Sequence, residues 1–186
     1  MKFGKFFWAF VASISLISSV QATPPNWRSV DADTLDIAGV KLGMDYDQVI
    51  SAMTDHFKLS PTEVKSLKAG TTLKDDPLTK TKQPGYVIFR KDGISMEVSF
   101  RVRSPIDNAH PVGATSIKYM ITNTPQNVSM LKETALAKYG PPSDDRHKTI
   151  LHWCANFQPS VTCNSKEASL EHGSGYLILK DYNRYK

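Results

Sequence analysis

The residues best equipped for chemistry are Cys154 and Cys163, the only two cysteines in a chain of 186 residues. An even cysteine count in an exported chain reads first as a disulfide. The loop such a bond closes is short, so chain entropy credits it with about 2.5–3 kcal/mol. A redox pair would take the form C-x-x-C, which the sequence lacks. A metal site would have to recruit His147, His152 or His172, and neither H-x-x-x-H nor paired C-x-x-C spacing is present to support one.

Two polar clusters come next. HGSGY (172–176) sets His172 beside Ser174. Near neighbours in an extended or turning segment rarely aim at one substrate atom, and the two glycines read more simply as a turn before the last strand. DDRH (144–147) gathers Asp144, Asp145 and His147 in what reads as a solvated loop after a helix stop. Glu63, Asp75 and Asp76 have no partner the sequence identifies. G-x-S-x-G, H-E-x-x-H and a glycine-rich phosphate loop are all absent. No catalytic residue, cofactor site or metal ligand is therefore assigned. The remaining candidates are five lysines, Lys65, Lys68, Lys74, Lys80 and Lys82, which would contact an anionic surface. For any one of them, a solvated side chain is the plain alternative.

The ends and the composition set the context. The chain opens with Lys2 and Lys5, continues through an apolar stretch from Phe6 to Val20, and presents small side chains at Val20 and Ala22. This is the pattern of a secretory signal peptide over 1–22, cleaved after Ala22. The apolar run falls short of the ~20 residues a membrane span requires. No cysteine lies near the cleavage point for lipid attachment, and no second apolar run of spanning length follows. The sequence therefore predicts a periplasmic or secreted soluble protein. Loss of Lys2 and Lys5 takes the formal charge from +5 to +3. That mild balance, together with export, argues against nucleic acid as a partner.

The elements that must position these residues follow from periodicity. Residues 23–34 are Pro-rich and polar, an extended lead-in whose Trp27 could dock on the body. Leu35 to Leu42 reads as a short strand or arm. In LGMDYDQVISAM (42–53) Asp45 and Gln48 have capping-box spacing, and Val49, Ile50, Met53 and Phe57 share a face, which predicts a helix over 46–57. Residues 58–85 carry many lysines with Pro61, Pro77 and Pro84. They read as a long exposed loop with room for a short helix at 61–68. YVIFRK (86–91), Asp92-Gly93 and ISMEVSFRV (94–102) form a hairpin signal with strict period two. RSPIDNAHPVGA (103–114) is turn chemistry, and TSIKYMI (115–121) is a further strand. Thr124 and Pro125 open a second helix, closed by Gly140 and Pro141-Pro142. TILHWCA (149–155), KEASLEH (166–172) and GYLILKDY (175–182) read as strands. Trp153 shares its face with Leu151 and points to the core. The fold class is α+β, with two αββ-type units (an αββ unit over 35–114 that includes the loop 58–85, and a βαββ unit over 115–186 with the disulfide) and an antiparallel sheet bearing helices on one face.

LGMDYDQV (42–49) resembles the helix opening of the BamE/SmpA-OmlA-like superfamily, and tandem αββ units are similar to the β-lactamase inhibitor protein fold. LAKYGPP (136–142) followed by His152-Trp153 resembles a pattern in uncharacterised exported proteobacterial proteins. These resemblances imply a periplasmic protein–protein interaction module of the cell envelope, with an unknown envelope protein as partner. The candidate contact surfaces are the polar face of 94–102 (Ser95, Glu97, Ser99, Arg101) and the segment 58–85. The alternatives are an inhibitor of a hydrolase, a binder of an anionic envelope component, and an enzyme with an unrecognised site.

Overall fold

The computed structural model describes residues 28–144, 149–158, 162–163 and 167–185. The leader at 1–22, Trp27 and residues 145–147 of the DDRH cluster lie outside the described residues. A 3-10 turn at Ala32–Thr34 leads into β1 (Asp36–Ile37), β2 (Val40–Lys41), α1 (Tyr46–Phe57) and α2 (Pro61–Ala69). Then come β3 (Thr72–Asp76), β4 (Thr81–Lys91), β5 (Ile94–Val102), β6 (Val112–Ile121) and α3 (Pro125–Tyr139). The last elements are β7 (Leu151–Cys154), β8 (Phe157–Gln158), β9 (Thr162–Cys163), β10 (Ser169–Gly173) and β11 (Tyr176–Lys180).

Seven strands form one sheet in the order β3-β4-β5-β6-β11-β10-β7, and every neighbouring pair is antiparallel. The fold is α+β, with the helices packed on the sheet. Register places Phe89, Met96, Tyr119, Leu177, His172 and Leu151 in one row across six strands. Val87, Val98, Ile117, Leu179, Leu170 and Trp153 form the next row on the same face. The helices cover this face. Phe57 of α1 stacks on Phe89 with centroids 4.3 Å apart, and Tyr139 of α3 meets Trp153 edge-on at 5.6 Å.

Helix α1 begins where the capping spacing predicts. The Gln48 N–H donates to the Asp45 carboxylate at 2.9 Å, and the Asp45 N–H donates to Gln48 Oε1 at 3.0 Å. The second carboxylate oxygen of Asp45 meets His110 Nδ1 at 2.8 Å, which pins the 103–111 connection over the helix start. Asp45→Ala should therefore lower folding stability by about 1–2 kcal/mol, at the upper part of the range for a lost cap. Urea unfolding of the two proteins measures this.

The stretch 58–85 is not a long loop. Ser60 and Glu63 make a second reciprocal capping box, with Pro61 at the first helical position, and α2 runs on to Ala69. Thr72 and Leu73 then open β3. Asp76 turns the chain by accepting from the Leu78 N–H at 2.9 Å and the Thr79 N–H at 2.8 Å, and β4 is under way by Thr81. Dense charge hid an edge ribbon whose β-branched threonines favour extended backbone.

The arm at 35–42 also differs from a single strand. It turns at Ala38 and Gly39, both at positive φ (54° and 79°), and doubles back as β1 and β2. Strand β6 starts at Val112 rather than 115, because Val112, Gly113 and Ala114 pair with Val102, Arg101 and Phe100. Glycine at 113 leaves room for the Tyr185 ring: a Cβ there would lie 2.5 Å from the Tyr185 hydroxyl, so the ring would have to shift.

Helix α3 starts on its Thr124 cap, whose hydroxyl accepts from the Asn127 N–H at 3.2 Å. It stops at Gly140, at φ 73°. The Arg28 guanidinium closes that end, donating to the Pro141 carbonyl at 2.8 Å and the Tyr139 carbonyl at 3.2 Å. A cation over the last carbonyls suits the negative end of the helix.

Candidate functional site

With α1, α2 and α3 on one face of the sheet, the other face is left to the polar residues that alternate with the core. Strands β5 and β6 supply the floor, with Glu97 opposite Lys118 and Ser99 opposite Ser116; Ile178 of β11 extends it. The ladder shifts register between Ser99 and Phe100, so Thr115 is the extra residue of a bulge. Bulges bend a strand and increase its twist. The result is a groove of about 690 Å³. One wall is the β3–β4 ribbon, through Lys74, Asp75, Asp76 and Leu78, and the other is Tyr182 and Tyr185 of the C-terminal tail.

Two arginines hold that tail. Arg101 Nη1 donates to the Tyr182 carbonyl at 2.8 Å. Arg103 donates to the Gly43 carbonyl at 2.7 Å and to the Tyr185 hydroxyl at 3.2 Å, and its guanidinium lies 5.5 Å from the Tyr185 ring centre. On the opposite wall the stem of Lys74 packs on Gly85, and its ammonium sits 5.9 Å from the Tyr86 ring centre.

The charges that line the groove balance. Lys74, Arg101 and Lys118 face Asp75, Asp76 and Glu97. Such a lining carries no net charge to favour an anion. Leu73 and Leu78 add exposed apolar area to the ribbon, at 55 % and 62 % accessibility.

The five lysines do not share one element. Lys65 and Lys68 lie on α2, where the Lys68 ammonium is 3.6 Å from the Asp47 carboxylate. Lys74, Lys80 and Lys82 lie on the β3–β4 ribbon, interleaved with acids; Lys82 stands opposite Asp75. Nearby, Lys91 binds Glu63 at 2.8 Å. Hydrogen bonds from Lys91 and from the Ser60 backbone and hydroxyl bring the Glu63 carboxyl down to about 2.

The two sheet edges differ. The outer side of β7 is occupied: the Val30 N–H donates to the Cys154 carbonyl at 2.9 Å and the Ser143 N–H to the His152 carbonyl at 2.7 Å. Asp144 bridges to His152 here and is 1 % exposed, so this part of the DDRH cluster is buried rather than solvated. Among the described residues, no strand pairs with the outer side of β3.

The remaining polar candidates separate. Cys154 and Cys163 are bonded, with Cα atoms 5.2 Å apart. His172 points into the core, whereas the Ser174 hydroxyl donates to Asn123 Oδ1 at 3.1 Å in the turn. On the free face Tyr176 donates to Glu171 at 2.7 Å. Burial first, then that bond and the carboxylate charge, push its phenol up to about 12. Among the described residues, no group of three or more His, Cys, Asp or Glu side chains is placed to hold a metal ion. Nor, among those residues, is any helix long and apolar enough to cross a membrane.

Sequence reasoning identified the polar face of β5 but missed the tail residues Tyr182 and Tyr185 and the arginine that grips Tyr185. The available signal was the cluster of Tyr and Arg at 182–185 in a segment without strand alternation. Compared with protein-family models, with curated proteins and with solved structures, the chain matches none.

Proposed function

We propose that this protein is an exported, non-catalytic interaction module of the cell envelope that binds a partner protein across the free face of its sheet. The observation that carries this reading is the groove over β5, β6 and β11, walled by the β3–β4 ribbon and the C-terminal tail. Its charges are mixed in sign, and exposed Leu78 stands on its rim, the combination of apolar anchor and polar surround found at protein interfaces. The open edge of β3 gives a partner backbone groups to pair with. The bonded cysteine pair accords with an oxidising compartment. The resemblance to BamE-like and β-lactamase-inhibitor-like proteins belongs to the same proposal. Its support is the order of elements, a helix followed by antiparallel strands in each half.

The test is affinity capture from a periplasmic extract with the full exported chain as bait, beside a variant with Ser99→Arg and Ser116→Arg on the groove floor. A partner held by the wild type should be lost at least tenfold by the groove variant. It should be kept by Lys65→Ala with Lys68→Ala. An envelope-assembly protein in the eluate supports the module reading, whereas a hydrolase supports an inhibitor. Capture that ignores the groove variant but vanishes in high salt and with Lys74, Lys80 and Lys82 neutralised would replace this reading with an anionic ligand.

A further inference from the structure

Among the described residues, two side chains keep buried polar atoms without a hydrogen-bond partner: the Ser95 hydroxyl on the polar face of β5, and His172, whose two ring nitrogens are both left so. His172 lies on the core face of β10, 2 % exposed, between Leu177 of β11 and Leu151 of β7. Among the described residues neither Nδ1 nor Nε2 has a hydrogen-bond partner. A neutral imidazole carries one donor and one acceptor, so both are stranded here among apolar neighbours. A leucine at this position would continue the row formed by Phe89, Met96, Leu177 and Leu151. A polar group kept in a core at such cost needs a reason.

The surroundings also decide which form is tolerated. From α3, the charge that acts on His172 is the ammonium of Lys132. From β7 and β11 the facing side chains are Leu151 and Leu177, which carry no charge, and beyond Leu177 comes the half-buried phenol of Tyr119. An imidazolium would be a buried cation facing a second cation. We propose that His172 is an acid-operated latch: proton uptake drives it out from beneath α3 and loosens that helix from the sheet.

The sign follows from burial and Lys132, which together hold the ring's proton affinity below the ordinary histidine value. Well above about pH 6.5 the ring is neutral whether α3 is docked or released, and the latch is closed. As pH falls through that value the released form takes up its proton first. Docking is lost progressively until the pH passes the lowered value of the docked form. Among the described residues, His56, at the last turn of α1, is held low by burial first and then by Lys138 of α3, with Asp36 opposing. It serves as the control position. Acid sensing by histidine is a recognised physical device. This inference concerns α3 and the core face and does not depend on the groove.

Hydrogen exchange of the full exported chain at pH 7.5 and 5.0, corrected for intrinsic rates, reads the latch directly. In the wild type, amides of α3 should exchange at least tenfold faster at pH 5.0 than at pH 7.5. His172→Leu should abolish the difference. His172→Gln, which is polar but does not titrate, should do the same if the leucine variant folds poorly, and His56→Gln should keep it. An acid response of equal size in His172→Leu or His172→Gln, or one lost in His56→Gln, would overturn the proposal. So would a His172 ring that titrates at or above 6.5 by NMR.

Discussion

Trp153→Ala should remove about 3–5 kcal/mol of folding stability, the largest single loss expected anywhere in the chain. The side chain is fully buried. It stands in the second core row beside Leu170, receives Tyr139 edge-on, and its indole N–H donates to the Gly140 carbonyl at 3.1 Å. Truncation would open a cavity and strand a carbonyl at the end of α3. It would also loosen the site where Tyr139 reaches across to β1: the Tyr139 hydroxyl donates to the Asp36 carbonyl at 2.5 Å, and Lys138 meets the Asp36 carboxylate at 2.7 Å. Domains of this size are stable by only about 5–15 kcal/mol, so the variant should unfold at far lower urea, or fail to accumulate. Trp153→Phe keeps most of the volume and loses only the indole donor, so it should retain more than half of the lost stability. Equal losses in the two variants would mean that packing is not what Trp153 supplies.

Reduction of the disulfide should cost about 2.5–3 kcal/mol, because the bond closes a loop of nine residues' separation and restricts the unfolded chain. The bond does more than shorten a loop. Cys154 is the last residue of β7, 1 % exposed, and its N–H donates to the Ser143 hydroxyl at 2.9 Å while its carbonyl accepts from Val30. Cys163 lies on β9, which among the described residues pairs with β8 alone. The small β8–β9 ribbon is therefore tied to the main sheet at the edge that Val30 and Ser143 cover. Urea unfolding with and without reductant, and of Cys163→Ser, should give the same lowered midpoint. A midpoint unchanged by either would show that the β8–β9 ribbon stabilises nothing. In a reducing compartment the edge of β7 would be left to its hydrogen bonds with Val30 and Ser143.

How far the fold was legible depended on how local the signal was. Asp45 with Gln48, and Thr124 with Pro125 and Gly140, marked both ends of helices because a cap is a contact within four residues. Asp92-Gly93 marked the β4–β5 hairpin because only a few residue types adopt positive φ twice in succession, here 50° and 76°. The stretch 58–85 failed for the opposite reason. Its ribbon forms an edge, so few side chains need burial, and the alternation on which strand reading depends was never written into it. Val112-Gly113-Ala114 failed because its strand identity comes from pairing with β5 across the 103–111 connection on one side and, on the other, from Gly43 and Met44, whose backbone exchanges hydrogen bonds with Ala114.

For the groove, the sequence predicted that Ser95, Glu97, Ser99 and Arg101 share a polar face, since successive side chains of a regular strand point to opposite faces. It could not predict the walls. The tail reaches the groove through contacts between residues more than eighty positions apart, as with Arg103 and Tyr185, and the β3–β4 ribbon reaches it as the sheet edge beyond β5. The strand order was equally hidden. β3 and β7 open the strand runs of the two halves, yet they lie at opposite outer edges and run in the same direction. No rotation that keeps the helices on one face superposes such halves, although the order of elements along the chain recurs.

The sequence by itself determined which faces of α1 and β5 lie inside, where α1 and α3 begin and end, the tight turn at Asp92-Gly93 and the pair of cysteines free to bond. Each of these is a matter of short-range sterics, hydrogen bonding or periodicity. Tertiary structure alone decided that all three helices share a face, that the opposite face closes into a groove, and that His172 is stranded beneath α3. Those outcomes depend on which strands meet, and pairing between distant strands is selected by the collective burial of a whole face, to which any one segment contributes only a part.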